Sequence, residues 1–476
     1  MLTRDLINQN VLEAEYAVRG PIVARAQELE EQGRKIIYCN IGNPQALGQK
    51  PLSFYRQTLS LIEYPELLRR SDIGSIYPRD VIERARAFLT RYPFGTGAYS
   101  QSAGIPFIRQ AVADFISKRD GIPADRDHVI LTDGASKGAQ AALIALLRTP
   151  NHGIMIPIPQ YPLYSASIKL YGGRQIGYLL DEENDWQLNE AILTESIEAA
   201  RKEGVHPAGI VVINPGNPTG GVLSLDNVRM IINFAKRQGI SIIADEVYQE
   251  NIYSDVLRFH SFAGTMHEMR ESSVSLFSLH SVSKGFLGEC GHRGGYLELR
   301  NVPDDVMAEF VKLQSISLCA NLSGQITTYL MVAPPQPGDE SYPTYVAERD
   351  AVLAELKGKA EILGEEINKI DGMSLVTPHG AMYAFVRFTL PPEPGVDVSA
   401  MTPQARLDYE TERDSKYCME LLEETDICVV PGSGFGQRPG TLHFRTTFLP
   451  PREEIKSLVK RLRTFHEKYV RELEEA

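Results

Sequence analysis

The chain has 476 residues, of which 43% are apolar and 23% are charged, a composition typical of globular proteins. Its formal net charge of −12 at pH 7 argues against nucleic acid or an anionic membrane as a partner. No apolar run reaches the roughly 18 residues that a transmembrane helix needs, so no such helix is expected.

The N-terminal segment and the cysteines bear on the cellular compartment. Residues 1–10 have no apolar core for export and mix acidic with basic side chains, so no signal or transit peptide is expected. The five cysteines are scattered and form no Cys-x-x-Cys motif, which favours reduced thiols. The sequence therefore predicts a cytoplasmic protein.

The N-terminal part combines helical and apolar stretches. Helical periodicity over residues 10–31 is broken by Gly20-Pro21, and an apolar strand over 35–41 ends in Gly42-Asn43-Pro44. A glycine that ends a strand allows the backbone to approach a ligand, although a plain turn is the simpler explanation. A loop is predicted over 95–104, followed by a helix over 106–118.

From residue 128 onward, short apolar stretches alternate with helical ones. Strands are predicted over 128–131, 154–158, 175–180, 209–213, 240–244, 274–279 and 295–299. Helices between them are predicted over 137–147, 164–171, 189–202 and 225–238. This order indicates an α/β fold with a mostly parallel sheet covered by helices on both faces. Ligands of such sheets bind beyond the carboxyl ends of the strands.

The C-terminal part indicates a smaller α+β domain. A helix over 306–332, interrupted near Cys319, precedes a proline-rich linker at 334–338 and a proline-rich insertion at 391–403. Further helices are predicted over 345–370, over 406–424 and from about residue 451, with strands over 381–388 and 441–447. The predicted division is an N-terminal arm with part of the small domain, the large domain and the C-terminal small domain, at 1–75, 76–335 and 336–476.

One lysine, Lys284, lies in a glycine-rich loop between two predicted strands. Ser281 and Ser283 precede it, and Arg293 follows nine residues later. Small residues around the lysine suit a backbone that approaches a ligand closely. A lysine in a loop is usually just solvated, so its role depends on the rest of the chain.

Polar residues also follow other predicted strands. The segment Gly134-Ala135-Ser136 places backbone amides and a hydroxyl at a helix N-terminus, where a phosphate binds well, although a capping turn has the same pattern. Asp245 ends a buried strand, and a buried acid needs a cationic partner. Asn217 and Tyr248 are placed to hydrogen-bond a phenolate oxygen.

These groups fit pyridoxal 5′-phosphate, which needs a lysine for attachment, an acid for its ring nitrogen and a phosphate cup. Lys284 is expected to attach the cofactor and then to act as general base on the substrate α-carbon. Asp245 would stabilise the protonated ring nitrogen, so that the ring can accept electrons from the substrate carbanion. The residues expected to hold the phosphate are Gly134, Ala135, Ser136, Ser281, Ser283 and Arg293.

Three motifs carry a family resemblance: Asn-Pro-x-Asn-Pro-Thr-Gly at 214–220, Asp-x-x-Tyr at 245–248 and Ser-x-Ser-Lys at 281–284. With them the chain resembles the fold-type I, class I/II aminotransferases, which depend on pyridoxal phosphate. It is most similar to the alanine aminotransferase subfamily, which includes the plant glutamate–glyoxylate enzymes. The similar segments are 16–21, 46–51, 131–138, 160–164, 245–253 and 288–295.

The resemblance implies further site residues. Tyr161 resembles the aromatic residue that stacks on the pyridine ring, and Arg445 the arginine that binds the substrate α-carboxylate through a bidentate fork. Gly42 and Asn217 would contact the same carboxylate. Tyr99 resembles the tyrosine that reaches the phosphate of a neighbouring subunit, which implies a homodimer with shared active sites.

The resemblance also implies small-molecule partners, namely amino acids and 2-oxo acids. L-Alanine and 2-oxoglutarate would give pyruvate and L-glutamate. Glyoxylate remains an alternative acceptor, because Ala320-Asn321 replaces a proline pair of the family pattern. A lyase and a non-catalytic binding protein on the same fold are less favoured. Intact Lys284, Asp245 and Arg445 argue against the second of these.

A dicarboxylate such as 2-oxoglutarate needs a second cation for its far carboxylate, because a buried unpaired charge is costly. Arg19 is the candidate, since its segment resembles the alanine subfamily and lies near the chain start. An arginine that ties the N-terminal arm to the large domain explains the same residue equally well.

Overall fold

The computed structural model describes residues 2–16, 20–393 and 395–475. Its helices are α1 Gln9–Glu13, α2 Pro21–Glu31, α3 Ser53–Glu63, α4 Arg79–Arg91, α5 Pro106–Asp120, α6 Ala135–Leu146, α7 Pro162–Leu170, α8 Glu190–Lys202, α9 Leu225–Gln238, α10 Phe262–Glu268, α11 Asp304–Ser315, α12 Leu322–Val332, α13 Tyr342–Ile367, α14 Pro403–Thr425 and α15 Arg452–Glu475. Within the described ranges, none of these helices has the length and apolar character needed to cross a membrane.

The strands form one large and two small sheets. They are β1 Ile37–Tyr38, β2 Val129–Thr132, β3 His152–Ile158, β4 Arg174–Leu179, β5 His206–Ile213, β6 Ser241–Asp245, β7 Leu276–Ser281, β8 Gly295–Arg300, β9 Met373–Ser374, β10 Tyr383–Phe388, β11 Ile427–Cys428, β12 Val430–Pro431 and β13 Leu442–Thr447. The large sheet has seven strands in the order β2-β8-β7-β6-β5-β3-β4.

The large sheet is mostly parallel, as predicted. Strands β7, β6, β5, β3 and β4 run parallel to one another, and β8 runs antiparallel to both β2 and β7. Alternate residues of one strand enter different cores. Met155 packs in the core that contains residues of α8, α9 and α10, and Ile154 in the core that contains residues of α6 and α7. Helices therefore cover both faces, which explains the continuous apolar character of these strands.

The smaller sheets involve the two ends of the chain. Strands β12, β13, β10 and β9 form an antiparallel sheet, while β1 pairs in parallel with β11. One apolar core contains Leu29 from α2 together with Leu421 from α14 and Leu458 from α15. The fold class is that predicted from the sequence, and the domain boundaries at residues 75 and 335 stay a prediction.

Local differences from the predicted elements have physical causes. The predicted strand over 35–41 is paired only over Ile37–Tyr38, because its partner Ile427–Cys428 is two residues long. The predicted break at Gly20-Pro21 is confirmed, since α2 begins at Pro21, whereas α1 ends earlier than predicted, at Glu13. Helices α3 and α4 were not predicted, although each buries one face, with Phe54 and Leu61 buried in α3.

Candidate active site

The carboxyl ends of neighbouring strands meet beside a cavity of about 980 Å³. Asp245, at the end of β6, lies in register with Ile213 of β5 and Leu279 of β7. Strand β2 runs in the same direction as β7, since both pair antiparallel with β8, so its carboxyl end and α6 reach the same edge. The cavity is lined by most of the predicted site residues: Gly42, Ala135, Ser136, Tyr161, Asn217, Asp245, Tyr248, Ser281, Ser283, Lys284, Arg293 and Arg445.

Lys284 lies in the loop between β7 and β8 and is half-buried. Its Nζ donates a hydrogen bond of 2.9 Å to the carbonyl oxygen of Gly42. The same atom lies 5.8 Å from the ring centroid of Tyr248. The amine is thus held inside the cavity between a backbone acceptor and an aromatic face.

Asp245 is buried, and among the described residues only one of its two carboxylate oxygens has a hydrogen-bond partner. Its Oδ2 accepts a hydrogen bond of 2.7 Å from the Tyr164 hydroxyl, while its Oδ1 has no partner among the residues that the structure describes. Burial raises the pKa of Asp245, and the hydrogen bond from Tyr164 opposes that rise. A buried acceptor without a partner is costly, and a protonated ring nitrogen would satisfy it and favour the ionised form. Asp245 therefore fits the acid that pyridoxal phosphate requires.

A cup for an anion lies at the start of α6. Gly134 precedes this helix with φ of +78°, and a Cβ added there would lie 2.5 Å from Nη2 of Arg293. That Nη2 donates to the Ser136 hydroxyl at 3.2 Å and to the Asp133 carbonyl at 3.0 Å. The guanidinium therefore lies against the N-terminus of a 12-residue helix, whose dipole and free amides also favour an anion. This arrangement fits a phosphate group.

Arg445 is only 1% exposed, and no carboxylate among the described residues pairs with it. Its guanidinium donates to Oδ1 of Asn217 at 3.2 Å and to the carbonyl of Asn40, and within the described ranges its Nε has no partner. The rings of Tyr383 and Phe435 lie on the guanidinium, at 4.3 Å and 4.6 Å from Cζ to ring centroid. A buried cation with only neutral partners is a favourable place for an anionic ligand.

The remaining predicted residues differ in where they lie. Gly134 adjoins the cavity through Arg293, and the Tyr161 hydroxyl is 2.8 Å from that of Tyr16. Tyr99 is 75% exposed and does not line the cavity of its own chain. Arg19 lies outside the described residues. The roles assigned to these residues therefore stay predictions.

Three tyrosines of the site were not predicted as site residues. Tyr164 holds Asp245, Tyr16 contacts Tyr161, and Tyr383 lies beside Lys284 and Arg445. Tyr164 and Tyr16 lie in segments that carried the family resemblance, so the signal was present in the sequence. Tyr383 occupies a predicted strand, where it has the pattern of an ordinary core residue.

The comparison with known proteins agrees with this geometry. Residues 78–462 match the model of the family Aminotransferase class I and II. A probable mitochondrial alanine aminotransferase from Dictyostelium discoideum is 46% identical, covering 98% of this chain and 89% of that protein. Glutamate–glyoxylate aminotransferase 1 from Arabidopsis thaliana is 43% identical, covering 98% of this chain and 96% of that protein.

A solved structure shares the fold. The structure of an alanine aminotransferase from Pyrococcus furiosus aligns with a TM-score of 0.75 at 25% identity, covering 97% of this chain and 100% of that one.

One relative corrects the predicted cellular location. The mitochondrial name of the Dictyostelium relative contradicts the predicted cytoplasmic location, which was wrong. Scattered reduced thiols argue against an oxidising compartment but do not distinguish one reducing compartment from another.

Proposed function

The chain belongs to the class I and II aminotransferases, a family of enzymes that use pyridoxal phosphate, and we propose that it transfers the amino group of L-alanine to 2-oxoglutarate. The products would be pyruvate and L-glutamate. The observation that carries this proposal is one cavity that holds the Lys284 amine, the half-satisfied Asp245 and the buried Arg445. The relative named alanine aminotransferase supports the choice of substrates.

Pyridoxal phosphate, when bound, supplies an electron sink for negative charge that develops on the substrate α-carbon. Asp245 would bind its ring nitrogen, and Tyr161 would lie against its ring. Asn217 and Tyr248 would hold its phenolate oxygen. The phosphate would lie at Gly134, Ala135, Ser136, Ser281, Ser283 and Arg293.

The residues of the chain would orient the substrate and move one proton. Arg445 would bind the α-carboxylate, with Asn217 and the backbone of Gly42 beside it. This contact fixes the α-carbon near the Lys284 amine, which would take the α-proton and return a proton later in the reaction. The rings of Tyr383 and Phe435 keep the Arg445 fork in place.

An assay of pyruvate formed from L-alanine, with and without 2-oxoglutarate, tests the proposed reaction. We expect sustained pyruvate formation only with the oxo acid. Because one relative is named glutamate–glyoxylate aminotransferase, glyoxylate is the second acceptor to test, with L-glutamate as donor. Faster turnover with glyoxylate would favour that alternative. Sustained pyruvate release without any acceptor would instead indicate a lyase.

The Arg19→Ala variant tests how the second carboxylate is bound. Arg19 follows Tyr16, which lines the cavity, by three residues in the sequence. If Arg19 binds the far carboxylate, its loss should weaken 2-oxoglutarate and glutamate by about 2–5 kcal/mol, the range for one partner of a buried charge pair. Alanine and pyruvate, which lack that group, should change far less. Equal losses in kcat/KM for all four substrates would show that Arg19 is structural.

A homodimer with shared sites is a further part of the proposal. Tyr99 is exposed in its own chain, as a residue that reaches a partner's phosphate would be. We expect two inactive variants, Lys284→Ala and Tyr99→Phe, to recover activity when their subunits are mixed. Each mixed dimer would contain one site with both residues intact.

The mixing experiment needs two controls. Tyr99→Phe must itself be strongly impaired, and native mass spectrometry must show that the subunits have exchanged. Mixed dimers that remain inactive under those conditions would contradict sharing of Tyr99.

A further inference from the structure

Tyr383 lines the cavity. It begins β10, pairs with Thr447 of β13 and is 3% exposed. Its ring lies on the guanidinium of Arg445 and meets the Tyr248 ring edge to face, with centroids 6.3 Å apart. Its ring therefore contacts active-site residues as well as the apolar core that contains Leu421.

The hydroxyl of Tyr383 and the Lys284 amine both lie beside Gly42. A Cβ added to Gly42 would collide with this hydroxyl and would lie 3.2 Å from Lys284 Nζ. The two polar groups thus flank the space that a side chain at this position would occupy. A phenol and an amine placed in this way can exchange a proton once a hydrogen bond forms between them.

The charges around Tyr383 favour its phenolate. Burial by itself would raise the pKa of Tyr383, but the positive charges of Lys284 and Arg445, together with a hydrogen bond to Tyr248, outweigh it, so its pKa lies below the ordinary value. For Tyr161 and Tyr248 in the same cavity, burial raises the pKa. The titratable and charged groups that face the hydroxyl are Lys284, Arg445, Tyr248, Tyr161 and Cys290.

We propose that Tyr383 stores the surplus proton of the Lys284 amine, a role that rests on the proposed aminotransferase reaction. An N–H bond of the ammonium breaks and its electron pair stays on nitrogen, while the proton forms an O–H bond with the Tyr383 phenolate. No further reactant is needed. The neutral amine then has the lone pair with which it takes the proton from the substrate α-carbon.

The exchange suits a buried site because it does not change the net charge. The ammonium–phenolate pair and the amine–phenol pair are both neutral overall, so neither leaves an uncompensated charge in the cavity. Release of the same proton to water would require a path to solvent and would depend on bulk pH. Tyr383 therefore makes the general base independent of solvent over the working pH range.

The variant Tyr383→Phe tests the role of the hydroxyl, because it keeps the ring on Arg445. We expect kcat for alanine and 2-oxoglutarate to fall by about 10²-fold, the lower end for a positioned proton-transfer group, with little change in KM. Turnover of the variant should rise with pH over a range in which the unaltered enzyme is constant. Tyr178→Phe is the control, since it removes another buried hydroxyl, bonded to the Val211 carbonyl at 2.6 Å, outside this cavity.

A second readout does not depend on turnover. Tyrosine labelled at the ring carbon that bears the hydroxyl reports ionisation by NMR, and the signal lost in Tyr383→Phe identifies this residue. We expect that signal to titrate below the pH at which tyrosine ordinarily ionises. Titration in the ordinary range, or a Phe variant with the kcat and pH profile of the unaltered enzyme, would overturn the proposal. Failure of the unaltered enzyme to transaminate alanine would instead refute the proposed function, and the titration would still decide the state of Tyr383.

Discussion

Replacement of Lys284 by alanine is expected to stop transamination while leaving the cofactor bound. Among the residues that the structure describes, Lys284 is the lysine whose amine lies in the cavity, where it donates to the Gly42 carbonyl. Without Lys284, no general base takes the proton from the α-carbon. The loss of general-base catalysis alone should lower the rate by about 10²–10⁴-fold. The phosphate cup around Arg293 and the acid Asp245 remain and would still hold pyridoxal phosphate. The measurements are turnover of alanine with 2-oxoglutarate and cofactor content after gel filtration.

A matched control separates the role of Lys284 from a general loss of charge. Lys357 is a half-buried lysine that pairs with Asp255 at 2.9 Å and does not line the cavity. Lys357→Ala should therefore retain full turnover. Near-normal turnover by purified Lys284→Ala would refute the assigned role of the lysine.

The main architecture could be predicted because buried parallel strands have a clear sequence pattern. Stretches such as β2, in which all four residues are buried, appear as short apolar runs between turns. The polar residues that follow them, Asp245 among them, then lie at one edge of the sheet for geometric reasons. Sheet type and the position of the site thus followed from local patterns.

Side-chain pairings across the fold could not be predicted in the same way. Tyr164 and Asp245 are 81 residues apart, and Arg445 and Asn217 are 228 apart, so no local spacing connects them. Tyr383 begins a strand in which nearly every residue is buried, and only its neighbours in space distinguish it from a core tyrosine. The extent of β1 likewise depends on a partner from the other end of the chain.

Replacement of Asp245 by asparagine has a second large expected effect. The isosteric amide should keep the hydrogen bond from Tyr164 but cannot pair with a cationic ring nitrogen. Breaking a buried ion pair costs about 3–5 kcal/mol, which corresponds to about 10²–10⁴-fold in rate or affinity. We expect kcat for alanine to fall within that range. Tyr164→Phe, which removes one hydrogen bond of about 1 kcal/mol, should lose about tenfold or less.

The Asp245→Asn substitution, which should lower turnover, should raise the stability of the cofactor-free protein. Burial raises the pKa of Asp245 above the value of 3.8 for the unfolded chain. Between the two pKa values the folded protein binds more protons than the unfolded one, so this carboxyl lowers the free energy of unfolding as pH rises through that interval. At neutral pH, which lies above the unfolded-chain pKa, the carboxyl is therefore a cost to the folded state. Asparagine removes that cost.

Two measurements on one variant then distinguish a functional acid from a structural one. Cofactor-free Asp245→Asn should be at least as stable to urea at neutral pH as the cofactor-free unaltered protein, while the loaded variant has lost most of its turnover. Functional sites commonly hold such groups at a cost to the fold, because the ligand supplies the missing partner. A cofactor-free variant that is less stable, with turnover reduced only in proportion to the folded fraction, would show instead that Asp245 serves the fold alone.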